Sequence, residues 1–256
     1  MRHEIKYIVP KAYLSALKQM ISPFVIPDKH VRNNPDYTYT VRSIYFDTPD
    51  LLFYREKMEG VPYRLKLRIR GYNKETETAP VFLEIKRKHK VPMTKNRAPF
   101  PFSVVKEILN GTQHNPATVF FKKESSHEDY IRFAYQLNKG NLAPTVLVVY
   151  DREPYEARAD HSIRITFDKN LRSAPLPKSR ELYSDDLKAL MTDHFILEVK
   201  YNKEYPEWMQ LIANAFGLKQ VAASKYCMSM DNHKGLLEMK PWQLMMARNE
   251  AMRRYV

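Results

Sequence analysis

Cysteine is almost absent from this 256-residue chain. Cys227 is the only one, which excludes an internal disulfide and a cysteine-rich metal centre. Glycine is scarce as well: 6 residues cannot supply a Gly-rich phosphate loop of either common type, so any phosphate must be held by side chains. Long apolar runs are missing. Stretches such as Val146 to Tyr150 fall far short of the roughly 20 residues that cross a bilayer, so no transmembrane segment is expected. The opening Met1-Arg2-His3-Glu4-Ile5-Lys6 alternates charged and apolar residues and lacks the apolar core of a secretory signal, which predicts a cytoplasmic protein. The 8 His show no metal-ligand spacing. Acid is also deficient, because 29 Asp and Glu against 42 Lys and Arg leave a formal charge of +13.

What is present suffices for a core. The 44% hydrophobic content excludes disorder as the main state, and the length suits one large domain with a helical appendage. We place that domain at residues 1–235 and a C-terminal helix packed on it at 236–256, its helical stretch running from Gln243 to Tyr255. Period-2 alternation or β-branched and aromatic enrichment predicts strands at Arg2 to Val9, Tyr39 to Asp47, Tyr63 to Tyr72, Val81 to His89, Thr145 to Arg152, Ser162 to Asp168 and Phe195 to Tyr201. Capping and stop signals predict helices at Leu51 to Met58, Ser103 to Asn110 and Pro206 to Phe216, with another at Glu128 to Leu137. Loops are expected at Asn73 to Pro80 and Leu171 to Ser179.

The most informative segment is Arg64-Leu65-Lys66-Leu67-Arg68-Ile69-Arg70. On a strand, Arg64, Lys66, Arg68 and Arg70 form one basic row with Leu65, Leu67 and Ile69 behind it. The pattern recurs. Glu84, Lys86 and Lys88 share a face, as do Glu198 and Lys200, Glu4 and Lys6, Tyr150 and Arg152, and Arg164, Thr166 and Asp168. One such strand is an ordinary half-exposed sheet. Six of them favour a shared basic cavity, which a sheet closed into a barrel of about eight strands can enclose.

A lining with more cations than acids calls for a dense polyanion, and triphosphate or longer phosphate chains fit, since Arg grips phosphate oxygens bidentately and Lys acts as a point charge. The acids Glu4, Glu84 and Glu198 have two readings: partners for neighbouring Lys and Arg, or ligands for Mg²⁺ or Mn²⁺, which bind through one or two carboxylates, water and substrate phosphates. Glu198 is the first choice as a ligand, with Glu84 and Glu4 behind it.

The segments Arg2-x-Glu4-x-Lys6-Tyr7, Ser43-Ile44-Tyr45-Phe46-Asp47-Thr48, Lys66-Leu67-Arg68-Ile69-Arg70, Leu83-Glu84-Ile85-Lys86, Tyr150-x-Arg152, Arg164-Ile165-Thr166-Phe167-Asp168, Leu197-Glu198-Val199-Lys200 and Ser224-Lys225-Tyr226 occur in an order that resembles the polyphosphate polymerase (VTC, vacuolar transporter chaperone) domain. That domain belongs to the triphosphate tunnel metalloenzymes. The resemblance implies an α+β fold built on a closed antiparallel eight-stranded β-barrel with peripheral helices. It also implies transfer of the γ-phosphoryl group of ATP to inorganic polyphosphate, with Mn²⁺ or Mg²⁺. By the same resemblance Lys6, Arg68, Arg70, Lys86, Arg152, Arg164, Lys200 and Lys225 fall at phosphate-binding positions, with Lys95 as a further one and Ser224 in the same motif as Lys225. Tyr150 falls near the nucleotide phosphates and Glu198 at the metal position. Arg2 stands where the cyclase and thiamine triphosphatase branch carries an acid, which points to the polymerase-like branch.

Two rival functions use the same residues. One is a triphosphatase hydrolysing ATP or a related triphosphate, and the other is a non-catalytic polyanion or nucleic-acid binder. Nucleic acid is not expected as a partner, because stacking surfaces need aromatics beside the cations, whereas these basic rows mostly alternate with aliphatic residues.

Overall fold

The structure, a computed structural model, describes residues 3–75, 80–89, 93–102, 105, 124–176, 181–241 and 243. Among these residues lie strands β1 (His3–Pro10), β2 (Val25–Pro27), β3 (Tyr39–Asp47), β4 (Tyr63–Tyr72), β5 (Pro80–His89), β6 (Met93–Pro101), β7 (Ala143–Ala157), β8 (Arg164–Pro175), β9 (Lys188–Ala189) and β10 (His194–Tyr201). The helices are α1 (Leu14–Ile21), α2 (Leu52–Met58), α3 (Glu124–Lys139), α4 (Glu207–Ala215), α5 (Lys225–Asn232) and α6 (Lys234–Glu238). The helices expected at Ser103 to Asn110 and Gln243 to Tyr255 lie outside the described residues, apart from Val105 and Gln243.

The eight longer strands follow one path, β1-β10-β8-β7-β3-β4-β5-β6, with β2 on β7 and β9 on β8. β1 and β6 end that path and are not partners, so the sheet is open and the expected closed barrel is corrected. The two end strands show why. Beyond β1, Tyr7 bridges Gln220 and the Val221 amide donates to the Lys6 carbonyl, so that edge is taken by an irregular segment. On β6, Pro99 and Pro101 have no N–H to offer, and the Arg97 amide, which shares their backbone direction, donates to Asp129 Oδ2 at 2.8 Å.

The described residues gather into two compact units, one within 1–40, 149–172 and 189–224, and the other within 41–148, 173–188 and 225–256. In the first, Tyr7, Val9, Ile165, Phe167, Phe195, Leu197 and Val199 turn the apolar side of β1, β8 and β10 toward Leu17 and Ile21 of α1 and Met209, Ile212 and Ala213 of α4. Each such side chain contributes about 1.5–3 kcal/mol when fully buried. In the second, Leu67, Ile69, Leu83, Ile85, Ala98 and Phe100 are buried on the apolar side of β4 to β6, and α3 packs on β5 and β6. There Phe100 meets Tyr130 and Phe46 meets Phe133 edge-on. Helices therefore cover apolar rows in both units, leaving the charged rows on the opposite faces.

The loop expected at Leu171 to Ser179 is corrected as well, because β8 continues to Pro175 with Leu171 and Ser173 buried at alternate positions. Gly71 is required by close approach: a Cβ there would stand 2.7 Å from the Tyr183 hydroxyl.

Candidate functional site

Antiparallel register brings the charges of β4, β5 and β6 together. Arg68 lies opposite Glu84, which lies opposite Arg97; Lys66 lies opposite Lys86, which lies opposite Lys95; and Arg64 lies opposite Lys88. With Arg70, this face carries eight cations, and Glu84 is the only carboxylate that these three strands supply. Glu84 is fully buried. Its Oε2 accepts from Arg68 Nη2 at 2.6 Å and Nε at 2.8 Å, while Oε1 stands 2.7 Å from Lys95 Nζ and 3.3 Å from Arg97 Nε. Arg70 Nε is 3.9 Å from Oε2. Burial works against ionisation of Glu84, but Arg68, Arg70 and Lys95 outweigh it and hold the carboxyl far below the usual range. Both Arg68 and Arg70 are buried, at 7% and 9% exposure, and the row opens through Lys66 and Arg64 to the exposed Lys88.

Tyr45, on β3 opposite Arg68, accepts a hydrogen bond from Arg68 Nη1 at 2.9 Å. Burial of its phenol opposes ionisation, yet the charges of Arg68, Lys66 and Arg70 prevail and bring it down to about 8. Tyr226, stacked on Tyr45, donates to Asp47 Oδ2, whose carboxylate also accepts from the amides of Thr48, Phe53 and Tyr54. Asp47 thus joins the start of α2 to α5, which Lys225 opens.

A second charged group lies in the other unit. Glu4 is opposite Lys200, which is opposite Arg164; Lys6 is opposite Glu198, which is opposite Thr166. Glu198, 5% exposed, is ion-paired to Lys200, to Arg152 Nη2 at 3.1 Å and to Lys6 Nζ at 3.4 Å. Arg152 also grips Asp168 through two contacts of 2.6 and 2.8 Å, lies over the ring of the buried Tyr150, and is held charged by Asp168 and Glu198 against the effect of burial. Arg164 pairs with Asp28. Four cations are therefore matched here by Glu4, Glu198, Asp168 and Asp28, so the expected excess of base does not hold for this group. Lys6 and Lys200 share the same two glutamates but shift in opposite directions. For Lys6, burial is outweighed by Glu198 and Glu4 and the pKa rises; for Lys200, burial and the neighbouring Arg152 win and it falls.

The candidate residues thus fall into two groups, with Ser224 buried just before α5 and Lys225 half-buried at its start. Sequence reasoning missed Arg97, Asp28 and the role of Asp168. Alternation of Lys95, Arg97 and Pro99 against Ala98 and Phe100 was the available signal for β6.

The oxygen donors Glu198 and Glu4 suit a hard cation such as Mg²⁺ or Mn²⁺. Among the described residues no group of three or more His, Cys, Asp or Glu is placed to hold a metal, so the other ligands would be water and phosphate oxygens. Glu84 has cations at both oxygens, as Glu198 does, and differs in being fully buried, whereas Glu4 beside Glu198 is half-buried.

The sequence matches the VTC domain family over residues 1–233. The chain belongs to that family. Its fold is of the triphosphate tunnel metalloenzyme type. Among solved structures it resembles a putative adenylyl cyclase from Hippeastrum, HpAC1, described as having a dominant triphosphatase activity. The TM-score is 0.51 at 14% identity, covering 91% of this VTC-domain chain and 96% of that one. The PH1819 protein of Pyrococcus horikoshii OT3 aligns with a TM-score of 0.46 at 13% identity, covering 90% and 99% of the two chains. No curated protein matches the sequence. No described helix of this VTC-domain chain is long and apolar enough to cross a membrane.

Proposed function

We propose that this chain is a metal-dependent polyphosphate polymerase that transfers the γ-phosphoryl group of ATP to the end of an inorganic polyphosphate chain. The observation that carries this reading is the β4 to β6 face, where three strands supply eight cations and a single carboxylate, in a member of the VTC family. In this reading Arg64, Lys66, Arg68, Arg70, Lys86, Lys88 and Lys95 hold phosphate oxygens. Lys6, Arg152, Arg164 and Lys200 offset charge that develops on the transferred group, and Lys225 and Ser224 contact the chain end. Glu198, with Glu4 beside it, would hold Mn²⁺ or Mg²⁺, which supplies Lewis-acid neutralisation of phosphate oxygens when bound.

The reaction needs little proton transfer. A terminal phosphate oxygen of the acceptor attacks the γ-phosphorus, the bond to the β-phosphate oxygen breaks, and ADP leaves with that electron pair. Fixed positive charge and alignment lower most of such a barrier. Water in place of the acceptor gives the second reading, a triphosphatase, which is favoured by the activity described for the Hippeastrum protein.

The test is to incubate the purified chain with ATP and Mn²⁺ and to separate the products by size. Long-chain polyphosphate with ADP supports the polymerase, free phosphate alone supports the triphosphatase, and unchanged ATP removes both. A Lys66→Ala/Lys86→Ala double variant should lose turnover with its fold intact, because these half-buried lysines lie in the open part of the row.

A further inference from the structure

Lys6 and Lys200 stand where a divalent ion would have to approach Glu4 and Glu198. Lys6 Nζ is 2.8 Å from Glu4 Oε1 and 3.4 Å from Glu198 Oε1. Lys200 Nζ is ion-paired to Glu198 Oε2 and lies 3.9 Å from Glu4 Oε2. Each ammonium therefore bridges the same two carboxylates, and all four carboxylate oxygens face one of them. Strand pairing fixes this arrangement, because Glu4 is opposite Lys200 and Lys6 is opposite Glu198, so each acid has one lysine across the ladder and one two residues along its own strand. Arg152 adds a third cation at Glu198, and the Ala223 carbonyl accepts from Lys6 Nζ at 3.2 Å, holding that ammonium in place.

A bare divalent cation entering this group would meet three positive charges within 3.4 Å of Glu198 or closer, at distances where like charges repel by several kcal/mol even with strong screening. Phosphate oxygens offer the same ammonium groups another partner. We infer that Lys6 and Lys200 are built-in counter-ions that keep Glu4 and Glu198 closed to a free divalent cation, and that the metal gains these carboxylates when a phosphate chain draws the lysines away. The inference rests on the reading of this group as the metal and phosphate site. It adds an order of events: the ion arrives with the phosphates. A free ion then binds this group only weakly, and the two ligands bind with positive coupling, each raising the affinity of the other by the same factor.

The decisive measurement uses Mn²⁺ alone, without phosphate, followed by the loss of the free-ion electron paramagnetic resonance signal on titration into the full chain. The unaltered protein should bind weakly, and Lys200→Met and Lys6→Met should each tighten binding about tenfold or more, equivalent to about 1.4 kcal/mol. Adding Glu198→Gln to either variant should abolish that gain. Equal affinity of the unaltered protein and both lysine variants overturns the inference, as does a gain that survives Glu198→Gln. Circular dichroism checks each fold, and either lysine variant alone decides the matter.

A second measurement needs no lysine variant. Inorganic tripolyphosphate complexed with Mn²⁺ should bind the unaltered protein more tightly than tripolyphosphate alone, and this advantage should vanish in Glu198→Gln; the reverse order overturns the coupling. If neither form of tripolyphosphate binds, the phosphate reading fails, whereas the titration with Mn²⁺ alone still judges the counter-ion role.

Discussion

Arg68 and Glu84 face each other across β4 and β5, and the guanidinium gives two of its N–H groups to the single oxygen Oε2. The other carboxylate oxygen is left to Lys95 and Arg97, so one acid organises cations from two strands. No second carboxylate comes from these three strands.

Glu84→Gln should therefore be costly. Removing one partner of a buried ion pair costs about 3–5 kcal/mol, and here the loss leaves Arg68 beside Arg70 without its carboxylate. Urea denaturation of the variant should show that loss. The pH dependence follows from the depressed carboxyl: its contribution is complete above the ordinary glutamate value and is lost only as the solution becomes strongly acid. Between pH 4.5 and 7 the difference between Glu84 and its Gln variant should stay flat.

Tyr45 should titrate as a separate tyrosine. Its phenol is brought down to about 8, against an ordinary value of 10, so tyrosinate absorbance should show a step near pH 8 that Tyr45→Phe removes. A depressed acid favours the fold when ionised. The unaltered protein should accordingly gain stability relative to Tyr45→Phe as pH rises from 8 toward 10, and below that window the difference should stay constant at the cost of the lost Arg68 hydrogen bond. A phenolate at 2.9 Å from Arg68 also offsets one phosphate-binding charge, so affinity for tripolyphosphate should fall over the same range.

Arg152 and Lys88 make a contrasting pair. Arg152→Ala strips a partner from both Asp168 and Glu198, which are buried, and should destabilise by about 3–5 kcal/mol. Lys88 is exposed, and Lys88→Ala should stay within about 0.5 kcal/mol of the unaltered protein. Its effect should appear as weaker tripolyphosphate binding with a shallower salt dependence. Thermal melts and binding titrations at two salt concentrations separate the two variants.

Gly71→Ala places a methyl 2.7 Å from the Tyr183 hydroxyl and 3.1 Å from Cζ of that ring. Overpacking of this kind costs about 1–3 kcal/mol. Tyr183→Phe removes the nearest atom but leaves the ring, so the double variant should recover part of the loss. Full additivity of the two changes would show that they do not share this contact.

Much of the fold was legible because the strands repeat with period two. β3 and β4 begin and end where the alternation predicts, at Tyr39–Asp47 and Tyr63–Tyr72. β6 was hidden by Pro99 and Pro101, residues that belong to an end strand and disguise its pattern. The extension of β8 was hidden in the same way by Ser173 and Pro175. Closure could not be read from local pattern, since it depends on which strands meet last. Most cations of the two groups were legible as Arg and Lys alternating along a strand face, Arg97 on β6 being missed. Glu4, Glu84 and Glu198 were legible on the same faces, but Asp28 was not: Arg164 finds it from 136 residues away, and no spacing in the sequence announces that pairing.

The far edge of β6 has a consequence for the protein in crowded solution. An exposed strand normally invites a neighbouring molecule to extend the sheet through its open amides. At three successive outward positions on β6 the invitation is withdrawn: Arg97 gives its N–H to Asp129, and Pro99 and Pro101 have none to give. Growth of sheet from copy to copy along this stretch of β6, the first step toward fibrils, is thereby disfavoured by the backbone itself.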